Sequence, residues 1–255
     1  MRAWLVIGAG AVLLAAALAI QAPATLLDRR VAELTDGRVR IGAATGSLWR
    51  GSGEVILLPD GLRIPIAWRL EATSLLRGGL AGSLVAADAS RPAAFAVGQE
   101  DFSVRDFVIT VPAATLLRTA GVPGGLTDAD GTLALAVTNL ARSGDHLEAR
   151  ADVRWKDAAL PASLTGTRIA LGEVRINASG SGAEIPATLS NTGGEVDIAG
   201  TLMFSTLGMP HIDARIKPRS GLPAERTQAI AAVLSNIGRR DDAGAYRVAW
   251  PLAIR

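Results

Sequence analysis

Arg63-Ile64-Pro65-Ile66-Ala67-Trp68-Arg69-Leu70-Glu71 sets a large apolar side chain at every second position. A period of two puts Ile64, Ile66, Trp68 and Leu70 on one face of an extended chain and Arg63, Arg69 and Glu71 on the other, which describes a β-strand with one side on a core. The same alternation runs through Leu147, Ala149, Ala151, Val153 and Trp155, and through Val196, Ile198, Gly200, Leu202 and Phe204. It returns in Ile212, Ala214 and Ile216, and in Tyr246, Val248, Trp250, Leu252 and Ile254. Strands of this kind belong to an antiparallel sheet with one wet face. The expected fold is mainly β: a long twisted antiparallel sheet, or a half-barrel or sandwich, with one C-terminal helix and an N-terminal transmembrane helix.

The C-terminal helix is expected over Pro223 to Ile237, where Pro opens the first turn, Glu225 meets the positive end, and Ile230, Val233, Leu234 and Ile237 form one stripe before Gly238. Shorter helical turns are expected at Ser74 to Arg77 and Ala113 to Thr119. Between Ile169-Ala170-Leu171 and Val174-Arg175-Ile176 the apolar phase shifts across Gly172, which marks a bulge or bend. A Gly-hydroxyl-Leu unit recurs at Gly46, Gly82, Gly131 and Gly200, with Arg replacing Leu at Gly166-Thr167-Arg168. It reads either as a repeated turn into a strand or as ordinary strand propensity.

The N-terminus follows other rules. No charge occurs from Ala3 to Leu27, and Trp4 to Ile20 is apolar apart from Gly8 and Gly10. At a rise of 1.5 Å per residue this is about enough to cross a ~30 Å hydrocarbon core, with Arg2 on the near side. A cleaved signal peptide is the alternative: Ala17-Leu18-Ala19 fits the small-x-small pattern, but it lies inside the apolar run, and a cut after Ala22 would set Pro23 beside the scissile bond. The expected organisation is an anchor over residues 1–27, a helical neck over 28–37 carrying Val31 and Leu34, and an exported β domain over 38–255.

Composition narrows the chemistry. The 255 residues contain no Cys, which removes disulfides, zinc-thiolate sites and a cysteine nucleophile. A net charge of +2 with acidic and basic residues interspersed, and only 4% aromatic residues, gives no footprint for nucleic acid. His146 and His211 each stand at the start of an alternating strand with no second ligand at metal spacing. Asp128, Asp130 and Gly131 begin like a calcium loop, but Asn139 stands where the closing Glu belongs. Gly51-Ser52-Gly53 lies ahead of the strand-like Glu54 to Leu58 and not in a strand-turn-helix elbow. Gly121 to Gly125 lacks the Lys-Ser/Thr of a phosphate loop, and Arg239, Arg240, Asp241 and Asp242 read as a solvated turn. No catalytic, metal or cofactor site is expected.

One stretch is unlike generic sheet sequence: Ala44-Thr45-Gly46-Ser47-Leu48-Trp49-Arg50-Gly51-Ser52-Gly53, then Ile66-Ala67-Trp68-Arg69-Leu70, then Ser74-Leu75-Leu76-Arg77-Gly78-Gly79-Leu80. In order and spacing these segments resemble the type II secretion system protein N (GspN) family, whose members carry Gly-Thr/Ser-Leu/Val-Trp-x-Gly, Trp-x-Leu and Leu-Leu-x-Gly. The residues matching that pattern are Gly46, Ser47, Leu48, Trp49, Gly51, Trp68, Leu70, Leu75, Leu76 and Gly78. The stretch from Ala231 to Leu252 is also similar to the way family members end, and Ala72 departs from the family by replacing a proline. On physical grounds Trp49 and Trp68 would pin the register of the first hairpin, with Gly46 and Gly51 bracketing a tight connection.

The resemblance implies an accessory inner-membrane component of the type II secretion machine, single-pass, with its C-terminal domain in the periplasm. Its partners would be other subunits of that machine, reached for instance through a strand edge, and the inner membrane through Ala3 to Leu27. The alternative is a periplasmic lipid-binding or lipid-transfer module with an AsmA-like curved sheet, in which Ile66, Leu135, Val153 and Ile198 would line a groove open to solvent.

Overall fold

A computed structural model of the chain describes residues 23–75, 78–86, 89, 91–119, 128–162, 166–205 and 211–250. The protein is mainly β with antiparallel pairing and few helices, as the alternation implies. Among the described residues there are fourteen strands and four helices. The expected transmembrane helix, the Gly121 to Gly125 connector and the strand positions Leu252 and Ile254 lie outside the described residues. Among those described, no helix is long and apolar enough to cross a membrane.

The chain divides into two compact units, residues 1–99 and 100–255. In the first, helix α1 (Thr25–Leu34) precedes strands β1 (Val39–Gly46), β2 (Arg50–Leu57), β3 (Leu62–Glu71), β4 (Leu80–Ala86) and β5 (Ala93–Val97), with a single turn, α2 (Ala72–Leu75), between β3 and β4. Each strand pairs with its neighbour in the chain. β2 begins at Arg50, so Gly51-Ser52-Gly53 lies inside the strand and not ahead of it. The predicted alternation of β3 is realised: Ile66, Trp68 and Leu70 are buried, and Pro65, Ala67 and Arg69 are exposed. Helix α1 begins earlier than the expected neck and ends when Gly37, at φ +74°, donates its N–H to Ala32 O at 2.8 Å.

The second unit contains β6 (Asp101–Pro112), α3 (Ala113–Thr119), β7 (Asp130–Ser143), β8 (His146–Leu160), β9 (Ile169–Gly182), β10 (Glu184–Thr192), β11 (Val196–Ser205), β12 (His211–Pro218), α4 (Ala224–Ile237), β13 (Arg239–Arg240) and β14 (Tyr246–Trp250). Strand order follows the chain except that β14 lies between β12 and β13. The expected C-terminal helix is therefore present as α4, and Ile230 and Leu234 of its stripe are buried against Ile169, Val174, Val196 and Tyr246. Arg239 and Arg240, expected in a solvated turn, instead pair with β14, and the turn begins at Asp241, whose carboxylate accepts the N–H groups of Ala243 and Ala245. The phase shift at Gly172 is a break in register between β8 and β9, with Gly172 at φ +78°. The Gly-hydroxyl units share no common place: Gly46 ends a strand, Gly82 and Gly200 lie within strands, and Gly131 and Gly166 lie at or before strand starts. Strand propensity accounts for them better than a repeat.

Two polar devices hold this unit together. Asn191 acts as a stitch between strands: its amide nitrogen donates to Leu171 O at 2.6 Å and Val196 O at 2.8 Å, while its oxygen accepts Ile198 N–H at 2.7 Å. Arg226 on α4 grips Glu195 with Nε and Nη2, at 2.5 and 2.6 Å, and donates also to Thr167 Oγ1 and Arg168 O. Glu195 in turn accepts Ala170 N–H at 2.9 Å. The helix is thus tied to β9 and to the β10–β11 turn by one mostly buried guanidinium.

The Arg226 hydrogen bonds, which outweigh the cost of partial burial, hold the Glu195 carboxyl below the usual glutamate range. A carboxylate whose folded value is depressed stabilises the fold fully above its unfolded value, near ~4.3, and loses that contribution as pH falls through the folded value. Urea-unfolding midpoints are therefore expected to fall more steeply below about pH 4.3 in the native chain than in Glu195→Gln. At neutral pH Arg226→Ala is expected to cost about 1.5–3 kcal/mol, the scale of hydrogen bonds to a charged group.

Candidate functional site

The residues of the Gly-Ser-Leu-Trp-x-Gly stretch build the β1–β2 hairpin and the surface it presents to β3. The turn closes through Ser47 N–H to Arg50 O at 2.9 Å and Arg50 N–H to Ser47 Oγ at 3.2 Å. Gly46 enters it at φ +88°, a conformation side chains resist, and a Cβ there would run into Arg50 O. Across the ladder Gly51 stands opposite Trp68, and the indole fills the space that a Cβ at Gly51 would occupy. Trp68 is 5% exposed, and its Nε1–H donates to Leu48 O at 3.1 Å. The Trp49 carbonyl accepts Leu70 N–H at 2.7 Å. One indole and one backbone bond therefore fasten the turn to β3.

Trp49 and Leu48 pack, half-buried, against the cluster of Ile66, Trp68 and Leu70, which also contains Ala24 at 2% exposure. Both tryptophans thus meet in the first core, with Trp68 the more enclosed. Leu70 faces Gly82 of β4. After it Ser74 closes the corner by donating to Glu71 O at 2.5 Å and accepting Ala81 N–H at 2.9 Å. Ala72, where the family resemblance calls for proline, opens α2. Leu75 ends α2, Gly78 lies in the following turn at φ +74°, and Leu76 lies outside the described residues.

Residues that the pattern alone did not reveal complete the site. Pro23 forms a backbone bridge with Ser47, and Leu27 of α1 joins the same cluster as Ala24. Asp28 receives Arg40 Nε at 2.9 Å and Nη2 at 2.6 Å, and accepts Ile41 N–H at 2.8 Å. These contacts place the segment just after the long apolar stretch against the outer edge of β1, and they use backbone groups of that edge which a docking strand would need. The Arg40 hydrogen bonds hold the Asp28 carboxyl below the usual aspartate range. Asp28 lies within a sequence that reads as a neck, and only the folded hairpin shows that its side chain turns back to β1.

The remaining chemical candidates stay apart. His146 is exposed at the start of β8, its Nε2 2.9 Å from Ser181 Oγ, and His211 is exposed at the start of β12. Asp130 opens β7 and pairs with Arg168 at 2.8 Å. Among the described residues no group of three His, Asp or Glu is arranged to hold a metal. The arrangement suits mechanical coupling: a rigid hairpin with a chain segment seated in it.

Comparison with known proteins gives one finding. The family model described as type II secretion system (T2SS), protein N, matches residues 37–249, a span that contains all of the motif residues. No curated protein and no solved structure matches the chain.

The geometry predicts the cost of disturbing the hairpin. Trp68→Ala is expected to destabilise the first unit by about 3–5 kcal/mol, and Trp68→Phe by about 1–3 kcal/mol, through a half-filled site and the lost bond to Leu48 O. Gly51→Val is expected to be as damaging as Trp68→Ala, because the new side chain and the indole compete for one volume. Chemical denaturation of each variant, followed by tryptophan fluorescence, measures these effects.

Proposed function

The chain belongs to the type II secretion system protein N family, and from that premise we propose that it is an accessory inner-membrane subunit that supports export of folded proteins from the periplasm across the outer membrane. Membership makes it a component of the type II secretion system and a protein of transport. The finer reading is a single-pass protein with Ala3 to Leu27 in the inner membrane and the β body in the periplasm, working by contact with other subunits. The observation that carries it is the seating of residues 23–28 in the motif hairpin. Pro23, Ala24 and Asp28 fix the exit of the apolar stretch to β1, so a membrane-held N-terminus would hold the first sheet at a set position and not on a loose tether. A single span encloses no protein-sized pore, which favours a scaffolding role. The family is one of secretion accessories, and the proposal includes no bond-breaking step.

A second reading, lipid binding by a curved sheet, has its own support in the second unit. Ile109, Leu135, Val153, Ile176 and Leu189 stand in direct register across five strands, each half-buried. This is an aliphatic row of a kind that acyl chains can cover. The groove expected from Ile66, Leu135, Val153 and Ile198 is a different matter. Ile66 is buried in the first unit's core, and Ile198 faces Ile216 beside α4.

Deletion of the gene is expected to leave normally secreted enzymes in the periplasm, with secretion restored by the native chain. Replacement of residues 1–22 by a cleavable signal peptide is expected to restore little, because it frees the body from the membrane. Fractionation and enzyme assay check both. Full secretion from the deletion strain would refute the subunit reading, and stoichiometric phospholipid in the purified chain, displaced by Val153→Asp, would favour the second.

A further inference from the structure

Arginines stand directly opposite one another at four places among the described residues: Arg50 and Arg69, Arg154 and Arg175, Arg215 and Arg247, and Arg239 and Arg247. Like charges facing each other across a ladder repel. In three of these places carboxylates answer the repulsion. Asp152 pairs with Arg154 at 2.9 Å, Glu173 with Arg175 at 2.8 Å, Asp213 with Arg247 at 2.5 Å, and Asp241 with Arg215 at 3.8 Å. Arg50 and Arg69 differ: both are exposed, and among the described residues neither has a carboxylate within ion-pair distance.

The same two side chains border a recess of about 380 Å³ on the wet face of β2, β3 and β4. Its floor is low because Ala67 offers almost no side chain, and Ser83, Val85 and Pro92 line the far side. Val85 is 37% exposed although it is a large aliphatic residue. Arg69 faces Ser83 directly, so two guanidiniums and a hydroxyl lie in one line across three strands, with an apolar wall beside them.

We propose that this recess is the docking site for an acidic segment of a partner protein, whose carboxylate lies between Arg50 and Arg69 and whose neighbouring apolar side chain rests on Val85 and Pro92. The inference deepens the subunit-contact reading and rests on it. Charge complementarity selects the occupant: guanidinium forks match carboxylates in a bidentate manner, and a bound carboxylate would supply the compensation that the other facing pairs already possess. A bilayer surface also carries anionic groups, but a broad surface is met by projecting cations, whereas these two flank a hollow sized for side chains.

The test places a photo-reactive benzoyl-phenylalanine at Val85 of the full-length chain in cells that contain the complete secretion apparatus, and sequences the cross-linked product. The expected product is a protein segment with Asp or Glu beside the attachment point, and Arg50→Glu with Arg69→Glu is expected to reduce its yield about tenfold. Reversal of the partner's acidic residue to Arg is expected to restore it. Both arginines are exposed, so the double variant is expected to keep the native thermal midpoint, which separates lost docking from lost folding. Cross-links to phospholipid alone, a yield indifferent to charge reversal, or no adduct in a strain whose secretion depends on the chain would each overturn the docking site and leave the secretion role standing. An adduct with an acidic segment of a protein outside the apparatus would uphold the docking site and overturn the subunit-contact reading.

Discussion

The Trp68 indole occupies the place where a side chain at position 51 would be, and the first unit is organised around that exclusion. On one side Trp68 faces Leu84 of β4 in direct register, but on the other its ring lies over position 51, so β2 must contribute bare backbone there. Gly51 does so, and Gly46, its partner across the hairpin, allows the turn to close without a clash against Arg50 O. With the ring in place, its N–H reaches Leu48 O and the Trp49 carbonyl reaches Leu70 N–H. The turn then has little freedom left, and Leu48 and Trp49 are presented to Ala24 and Leu27 as a surface on which the N-terminal segment can rest.

The second unit meets the same need for rigidity by different means. Its helix covers part of one sheet face, and aliphatic burial by Ile230 and Leu234 supplies a non-directional attraction. Direction comes from Arg226, whose Nε, Nη1 and Nη2 donate to Thr167 and Arg168 on the approach to β9 and to Glu195 in the β10–β11 turn. Asn191 does similar work within the sheet, replacing ladder bonds where Gly193 and Gly194 turn the chain. In both devices each of these polar side-chain atoms faces a structural partner.

How far the sequence could be read depended on the range of the interaction. Period-two alternation depends on neighbours two apart, so β3, β8, β11, β12 and β14 and the stripe of α4 were visible without coordinates. The start of β2 gives no such signal because Arg50-Gly51-Ser52-Gly53 has turn-like composition, and its strand character comes from the indole and carbonyls it packs against. Arg239 and Arg240 read as a turn for a related reason: two charged residues become a strand only because β14 returns beside them. The motif was legible as a motif and the Trp68–Gly51 relation only as a shared hairpin. The Asp28–Arg40 pair, twelve residues apart across a helix end and a turn, gives no periodic signal at all.

The unequal treatment of facing arginines links these levels. A sheet face whose strands alternate polar residues will by chance set like charges opposite each other, and a carboxylate of a neighbouring strand can answer them, as Asp213 does for Arg247; within its own strands a chain has two further ways to tolerate this. It can place a carboxylate two residues away on the same strand, as Asp152 does for Arg154 and Glu173 for Arg175, or it can leave the repulsion to solvent and to whatever binds there. At Arg50 and Arg69 no such pair forms among the described residues, although Glu71 stands two residues after Arg69 on the same face of the strand. The residue two after Arg50 is Ser52, whose hydroxyl lies 3.0 Å from Thr45 Oγ1 in a cross-strand pair that supports the ladder, and the residue two before Arg69 is Ala67, part of the low floor of the recess. The outer face of the hairpin thus carries a facing pair of arginines that no carboxylate among the described residues engages, and a chain bringing a negative charge is the complement to this surface.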